Sequence, residues 1–165
     1  MTVSASEFKR TMSRWLSGVS IVTTRVGELR AGLTVSAFFS ASLDPPLIAV
    51  CLDRQAKTLP VLLESGYFAI NVLSLTQRGY SDRFASKHDE HRRFDGVPLL
   101  EAPHCHSPLL AEAVAHLDCK LYATHDVGDH ALCVGEVLWT QSSEEEPLGF
   151  FRGRYQAVAP IDGGE

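Results

Sequence analysis

From Thr34 the chain alternates in chemical character. Thr34, Ser36, Phe38, Ser40 and Ser42 occupy the even positions, and Val35, Ala37, Phe39, Ala41 and Leu43 the odd ones. A period of two sends these sets to opposite faces of a strand. The odd set is therefore expected in an apolar core, and the even set presents a ladder of hydroxyls. "GVSIVTT" reads as the preceding strand, joined to "AGLTVSAFFSASL" through the turn-like "RVGELR". "DPP" at 44–46 ends the second run, because proline removes a donor and fixes its own dihedral. The apolar "LIAVCL" that follows has the pattern of a strand buried on both faces.

Helical signals are short and capped. Ser4 with Glu7 forms a capping-box pattern ahead of Phe8, Met12, Trp15 and Leu16, which share one face of a helix and are expected to pack. "DRQAKT" leads into a helix over "LPVLLES", closed by Gly66. Ser74 and Gln77 cap a third helix through "TQRGYSDRFAS", after the strand "YFAINVLS". Residues 86–108 are charged, proline-bearing and without period, so they read as a long loop, and Ser107-Pro108 as the start of a brief helix. Beyond them Ala115, Leu117, Cys119, Leu121 and Ala123 alternate with His116, Asp118, Lys120, Tyr122 and Thr124, predicting a strand with one wet face. "DVGD" turns it into "HALCVGEVLWTQ", and "EEEPLGFFRGRYQAV" supplies an acidic turn and a last strand. About six or seven strands joined mostly by hairpins predict a mainly β protein, an antiparallel barrel or sandwich with short helices. The length of 165 residues fits one domain spanning 1–165.

Composition then narrows the function classes. A formal charge of −5 argues against nucleic-acid or membrane-surface binding, which needs clustered cations. The amino-terminal segment has no signal-type apolar run, so a cytoplasmic protein is expected. The four cysteines, Cys51, Cys105, Cys119 and Cys133, form no CxxC and read as structural thiols. The histidine-rich loop with "HCH" at 104–106 lacks a second ligand pair at zinc spacing and reads as a solvated lid; Arg92 and Arg93 within it either pair with a phosphate or stay wet. No GxGxxG follows a strand, which disfavours a Rossmann domain.

The candidate chemistry lies where the hydroxyl ladder meets "DRQAKT". Lys57 and Thr58 stand at the mouth of a helix, a setting that can hold a phosphate. A wall of small alcohols and backbone amides leading there suits a neutral, hydrogen-bonding heterocycle with a phosphate tail, although a strand with one wet face accounts for the ladder as well.

"WLSGVSIVTT", "GLTVSAFFSASLDPPLIAVCLD", "SGYFAINVLS", "SDRFA", "GDHALCVGEV" and "PLGFFRGRY" occur in this order. Together they resemble the flavin reductase family that serves two-component flavin-dependent monooxygenases, and the resemblance spans residues 8–156. It implies an FMN-binding split β-barrel, antiparallel and Greek-key-like, working as a homodimer. It also implies reduction of FMN, or of FAD, by NADH or NADPH and delivery of reduced flavin to an oxygenase component. By the same resemblance Thr34, Ser36 and Ala37 line the flavin ring. Ser42, Cys51, Leu52 and Asp53 border the ribityl chain, and Lys57 and Thr58 hold the phosphate. Asn71, Ser81, Arg83 and Phe84 complete the flavin pocket, His130 of "GDH" meets the nicotinamide, and Tyr155 lies near the ring. Phe39 stands where many relatives carry a polar residue and is left outside the site. An FMN-binding protein without turnover, and an FMN-containing reductase of a cobalamin or ferric complex, remain alternatives.

Overall fold

The computed structural model describes residues 2–159; the ends of the expected 1–165 span, residue 1 and residues 160–165, lie outside the described residues. Its first element, α1 (Ala5–Met12), forms for the capping reason expected: Ser4 Oγ accepts from the Glu7 amide at 3.2 Å, and Glu7 Oε2 accepts from the Ser4 amide at 3.1 Å. The expected packing of its apolar face is not found. No residue of α1 is buried, and Phe8, Met12, Trp15 and Leu16 are all exposed.

After the short β1 (Ser17–Gly18), the hairpin β2 (Ser20–Val26) and β3 (Leu29–Val35) turns at Gly27, whose φ of +55° suits a residue without Cβ. The long alternating run is two strands, because β3 stops at Val35 and β4 (Phe38–Leu43) begins after a break at Ser36–Ala37. The sheet order explains the break. With β5 (Pro46–Asp53), β6 (Tyr67–Val72), β9 (Ala115–Val127) and β10 (His130–Ser142), the order is β3-β2-β6-β9-β10-β5-β4, and every neighbour is antiparallel. Strands adjacent in sequence, β3 and β4, thus form the two outer edges of a curled, seven-stranded sheet that does not close. Ser36 and Ala37 carry the chain from one edge to the other, and the fold is a split β-barrel. A single continuous strand could not occupy both edges at once.

The barrel interior is filled from every side. Val22, Val50, Phe68, Ile70, Cys119 and Cys133 belong to one buried cluster, joined by Leu59 and Leu62 of α2 (Thr58–Ser65). Gly66 ends α2 in the left-handed region at φ +68°. At Gly135, beside a register shift in the β9–β10 ladder, a Cβ would lie 2.5 Å from Phe68 Cζ; glycine is what lets the aromatic ring reach the wall. Burial holds the core thiols in their protonated form: Cys105 is pushed up to about 12 and Cys133 to about 11, with Cys119 raised further.

Several further departures from the sequence pattern trace to the segment 86–108. It is not a solvated lid. A 3-10 turn at 90–92 and the pair β7 (Leu99–Glu101) and β8 (Pro108–Leu110) fix it to the body, so Pro108 starts a strand and no helix. It covers the first half of β9, where His116 and Asp118, expected on a wet face, are 5% and 0% exposed. His116 Nε2 lies 2.8 Å from the Leu110 carbonyl, and Asp118 Oδ2 accepts from the His104 amide at 2.7 Å. The carboxy-terminal run divides into β11 (Leu148–Phe151) and β12 (Arg154–Ala157), turned at Arg152 and Gly153 and paired through β1. Between these strands and the barrel, α3 (Arg78–Ala85) packs Phe84 into a second buried cluster with Ile21, Leu73, Leu110 and Leu148. Among the described residues no helix is long and apolar enough to cross a membrane.

Candidate functional site

The split is where polar groups collect. Ser36 and Ala37 are exposed, and neither backbone amide donates to a backbone acceptor among the described residues; the Ala37 carbonyl accepts from the Cys51 amide at 3.0 Å. A strand edge left free in this way offers two donors to whatever lies in the gap. On one side of the break Thr34, Asp53, Lys57 and Phe84 line a common cavity of about 370 Å³, with Gln55 and Arg93. On the other side Ser36 and Ala37 border a cavity of about 660 Å³ against Phe38, Phe39, Trp15 and Phe150.

The ends of the elements fix these side chains. Asp53 closes β5 and its Oδ1 accepts from the Gln55 amide at 2.8 Å, forming the turn that delivers the chain to α2. Lys57 is the N-cap residue of α2 and Thr58 its first residue, as expected. Thr58 is buried, and Lys57 keeps its ammonium in solvent, 3.7 Å from Glu90. His130 opens β10 in register with Asp53, so the "GDH" turn stands at the same end of the barrel as the α2 mouth. Its Nδ1 lies 2.7 Å from Asp129 Oδ1, and that hydrogen bond holds the Asp129 carboxyl below its usual range.

A second set is coupled through Ser81. Thr34 Oγ1 donates to the Ser81 carbonyl at 2.7 Å, and the Tyr155 hydroxyl donates to Ser81 Oγ at 2.9 Å or Asp82 Oδ1 at 2.7 Å. Desolvation raises the Tyr155 phenol, and the Arg78 guanidinium stands 5.1 Å over its ring. Ser81 and Tyr155 therefore brace β3 against α3 and β12 from behind the cavity.

Several expected site residues stand elsewhere. Asn71 is fully buried, its amide donating to the Ile21 carbonyl and Thr23 Oγ1 and accepting from the Leu110 amide. Its side chain is consumed in binding β6, β2 and β8 together. The side chain of Leu52 is 0% exposed in the barrel core. Arg83 points its guanidinium at the Asp95 carbonyl, 2.8 Å away, and is not among the residues lining either cavity at the split. Cys51 and Ser42 are half-buried on β5 and β4, outside both cavities.

Arg93 is the residue that sequence reasoning left undecided. It is 6% exposed, donating to the Gly32 carbonyl and the Ser86 carbonyl at 2.6 Å each, and its Nε has no partner. Desolvation lowers its pKa, and the nearby Glu90 carboxylate partly offsets that. The only sequence signal was the "RR" pair, which cannot say which arginine turns inward.

An antiparallel barrel split beside a helix mouth, with free amides in the gap, is built to hold a flat, phosphate-bearing cofactor. Residues 12–159 match the family model described as flavin reductase like domain, and the chain belongs to that family. It is 37% identical over 152 residues to the reductase component of 4-hydroxyphenylacetate 3-monooxygenase from Thermus thermophilus, across 92% of this chain and 95% of the relative. It is 34% identical over 154 residues to the reductase subunit of a flavin-dependent monooxygenase from Rhodococcus jostii, across 93% and 77%. Among solved structures, the NADH:FAD oxidoreductase of Streptomyces globisporus in complex with NAD and FAD fragments superposes with a TM-score of 0.90 at 30% identity, covering 99% of both chains.

Proposed function

We propose that this chain is an NAD(P)H-dependent flavin reductase that supplies reduced flavin to a separate oxygenase. The observation that carries the reading is the break at Ser36–Ala37, whose two free amides open between the Thr34–Lys57 cavity and the aromatic one. A flavin held there would supply the ring that accepts a hydride from the nicotinamide. That transfer needs orientation and exclusion of side reactions more than an acid or base. The work of this chain is accordingly to hold groups in place. The Ser36 and Ala37 amides are donors for negative charge developing on the ring, and their fixed position in the gap spares reorganisation. Thr34, braced through Ser81 and Tyr155, keeps that wall rigid. Lys57 and Thr58 meet the phosphate at the start of α2, and Asp53 with Gln55 shapes the turn between. His130, oriented by Asp129, presents its other ring nitrogen to the nicotinamide.

The working unit in this reading is a homodimer. The outer face of β4 and its neighbours exposes Phe39 at 53%, next to the half-exposed Leu47 of β5 and Leu132 and Val134 of β10, and Leu43 at the end of β4 is 90% exposed, a surface a second copy would cover. Four free thiols support a reducing, cytoplasmic setting.

Aerobic NADH oxidation by purified protein should depend on added FMN or FAD. A protein that binds flavin but oxidises no nicotinamide would be a storage or sensing protein, and one that leaves both flavins free in equilibrium dialysis is no flavoprotein. Lys57→Ala should weaken FMN more than riboflavin, since riboflavin has no phosphate to lose. An equal loss for both would move the phosphate site away from α2.

A further inference from the structure

Lys57 and Arg93 reach the Thr34–Asp53 cavity from different elements, and one carboxylate bridges them. Glu90 Oε1 lies 3.7 Å from Lys57 Nζ, and Glu90 Oε2 lies 3.7 Å from Arg93 Nη1. The backbone fixes that position. Asp89, in the left-handed region at φ +50°, leads into the 3-10 turn at 90–92, and the Arg93 amide donates back to the Glu90 carbonyl at 3.3 Å. The three side chains differ in freedom. That of Lys57 is 78% exposed, against 20% for Glu90 and 8% for Arg93, whose guanidinium is also held by the Gly32 and Ser86 carbonyls.

We propose that Glu90 sets the release rate of the flavin by competing with its phosphate for Lys57 and Arg93; the inference rests on the flavin reading above. The mouth of α2, Lys57 and Arg93 all attract a phosphate. Glu90 is a fixed anion within that set, so an arriving phosphate meets cations already partly neutralised and a like charge beside them.

The carboxylates lining this cavity, Asp53 and Glu90, differ in what they do. Asp53 accepts from the Gln55 amide at 2.8 Å and shapes the turn. Glu90 has the two cations as its polar partners among the described residues, at distances beyond hydrogen bonding. A phosphate oxygen that comes within hydrogen-bonding distance of Lys57 therefore displaces the carboxylate, and the carboxylate stays at hand to retake the cation. Lys57, the most exposed of the three, is the side chain that changes partner. A reductase that passes its product to a separate oxygenase needs a flavin that leaves. An internal competitor speeds that departure without altering the ring site.

The test uses Glu90→Gln, which removes the charge at nearly constant shape, and Glu90→Asp, which keeps the charge and draws it back by one methylene. Dissociation constants for FMN and riboflavin, and the FMN release rate by stopped-flow fluorescence, are measured on wild type, both variants, Lys57→Ala and the Lys57→Ala/Glu90→Gln double variant. The inference expects Glu90→Gln to tighten FMN about tenfold, chiefly through slower release, with riboflavin unchanged within about twofold. Glu90→Asp should tighten FMN about threefold. In the Lys57→Ala background the gain from Glu90→Gln should shrink to about threefold or less, because one contested cation is gone. Unchanged or weaker FMN binding in Glu90→Gln overturns the inference and makes Glu90 a brace for the two cations. Equal tightening of FMN and riboflavin, or a full gain in the Lys57→Ala background, overturns it too. Should Glu90→Gln fail to fold, Glu90→Asp decides, and FMN binding no tighter than wild type overturns the inference. A wild type that binds FMN no better than riboflavin also overturns it and leaves the flavin reading standing, whereas a wild type that binds neither removes the reading itself.

Discussion

Arg93 reaches sixty-one residues back along the chain to donate to the Gly32 carbonyl at 2.6 Å. Gly32 permits that approach: a Cβ there would lie 3.0 Å from the Val22 carbonyl oxygen, 3.1 Å from Phe84 and 3.2 Å from Phe94. Phe84 and Phe94 meet edge to face at 5.0 Å over the same point. The segment after α3 is thus pinned to β3 by one buried guanidinium and one aromatic pair. Arg93→Met should cost about 2–4 kcal/mol, because it strips the buried Gly32 carbonyl and the half-buried Ser86 carbonyl of their donor. Urea unfolding checks this, and an unchanged midpoint would mean that the segment is held by its apolar contacts alone.

How much of this was legible in the chain follows from where each interaction runs. Local signals were reliable. Ser4 with Glu7 and Gly66 after α2 act within a few residues and form as their spacing predicts; Ser74 and Gln77 also pair, the Ser74 amide donating to Gln77 Oε1, but across a 3-10 turn at 75–77 that precedes α3. The antiparallel, mainly β class was readable from strand count and short connections, which left barrel and sandwich open; the split barrel came from the resemblance. What a period of two could not reveal is tertiary cover. It put His116 and Asp118 on a wet face because nothing local shows that residues 104–110 would fold over them. It ran β3 into β4 because alternation continues unbroken through Ser36 and Ala37, although the barrel is split there. In the candidate site, Lys57 and Thr58 stand at the start of α2, where their chemistry put them, and Asp53, taken from the resemblance, closes β5 beside them. Asn71, expected at the ligand, is a core clamp, and Arg93, which the sequence left between phosphate pairing and solvent, is buried and lines the cavity.

His130 and Asp129 form the one turn where function and orientation can be separated. His130→Ala should raise the NADH Michaelis constant about tenfold while flavin dissociation constants stay within about twofold, since it removes a contact to the second ligand only. Asp129→Asn should give a smaller rise in the same constant, because it loosens the ring without deleting it. Steady-state kinetics paired with flavin titration separates these. Equal losses of both affinities would take His130 out of the nicotinamide site.

The thiols predict an alkaline limit to stability. Burial pushes the Cys105 thiol up to about 12 and the Cys133 thiol up to about 11, above the ordinary thiol value of 9.0. A raised folded pKa means that the native state keeps its proton after the unfolded chain has lost it. The contribution of these thiols is fully present below pH 9, then falls as pH rises through the interval to their folded values. The urea midpoint should decline from about pH 9 upward, and Cys133→Ala should flatten part of that decline. At neutral pH at most one of the four thiols, the half-buried Cys51, should react quickly with a disulfide reagent, against all four in denaturant. Rapid reaction of three or four in native protein would contradict the packing.

The exposed apolar face makes the last prediction. Phe39 and Leu47 share one face of the β4–β5 pair, Leu132 and Val134 continue it onto β10, and Leu43 follows the bulge after Ser40 at the end of the edge strand. Leu43 is 90% exposed, more than any other large apolar side chain given for the described residues, in a strand that otherwise has a ladder partner on one side only. Water contact over such a patch is unfavourable, and an edge strand left bare invites pairing. Leu43→Glu with Phe39→Glu would place two charges in the interface of a dimer closed through this face, yet would cost the isolated barrel little, since both side chains already face solvent there. Sedimentation equilibrium should therefore show wild type as a dimer and the double variant as a folded monomer with wild-type secondary structure. If the variant remains dimeric, the copies meet elsewhere; the apolar face of α1, where Phe8 and Trp15 are also uncovered, would then be the surface to change next.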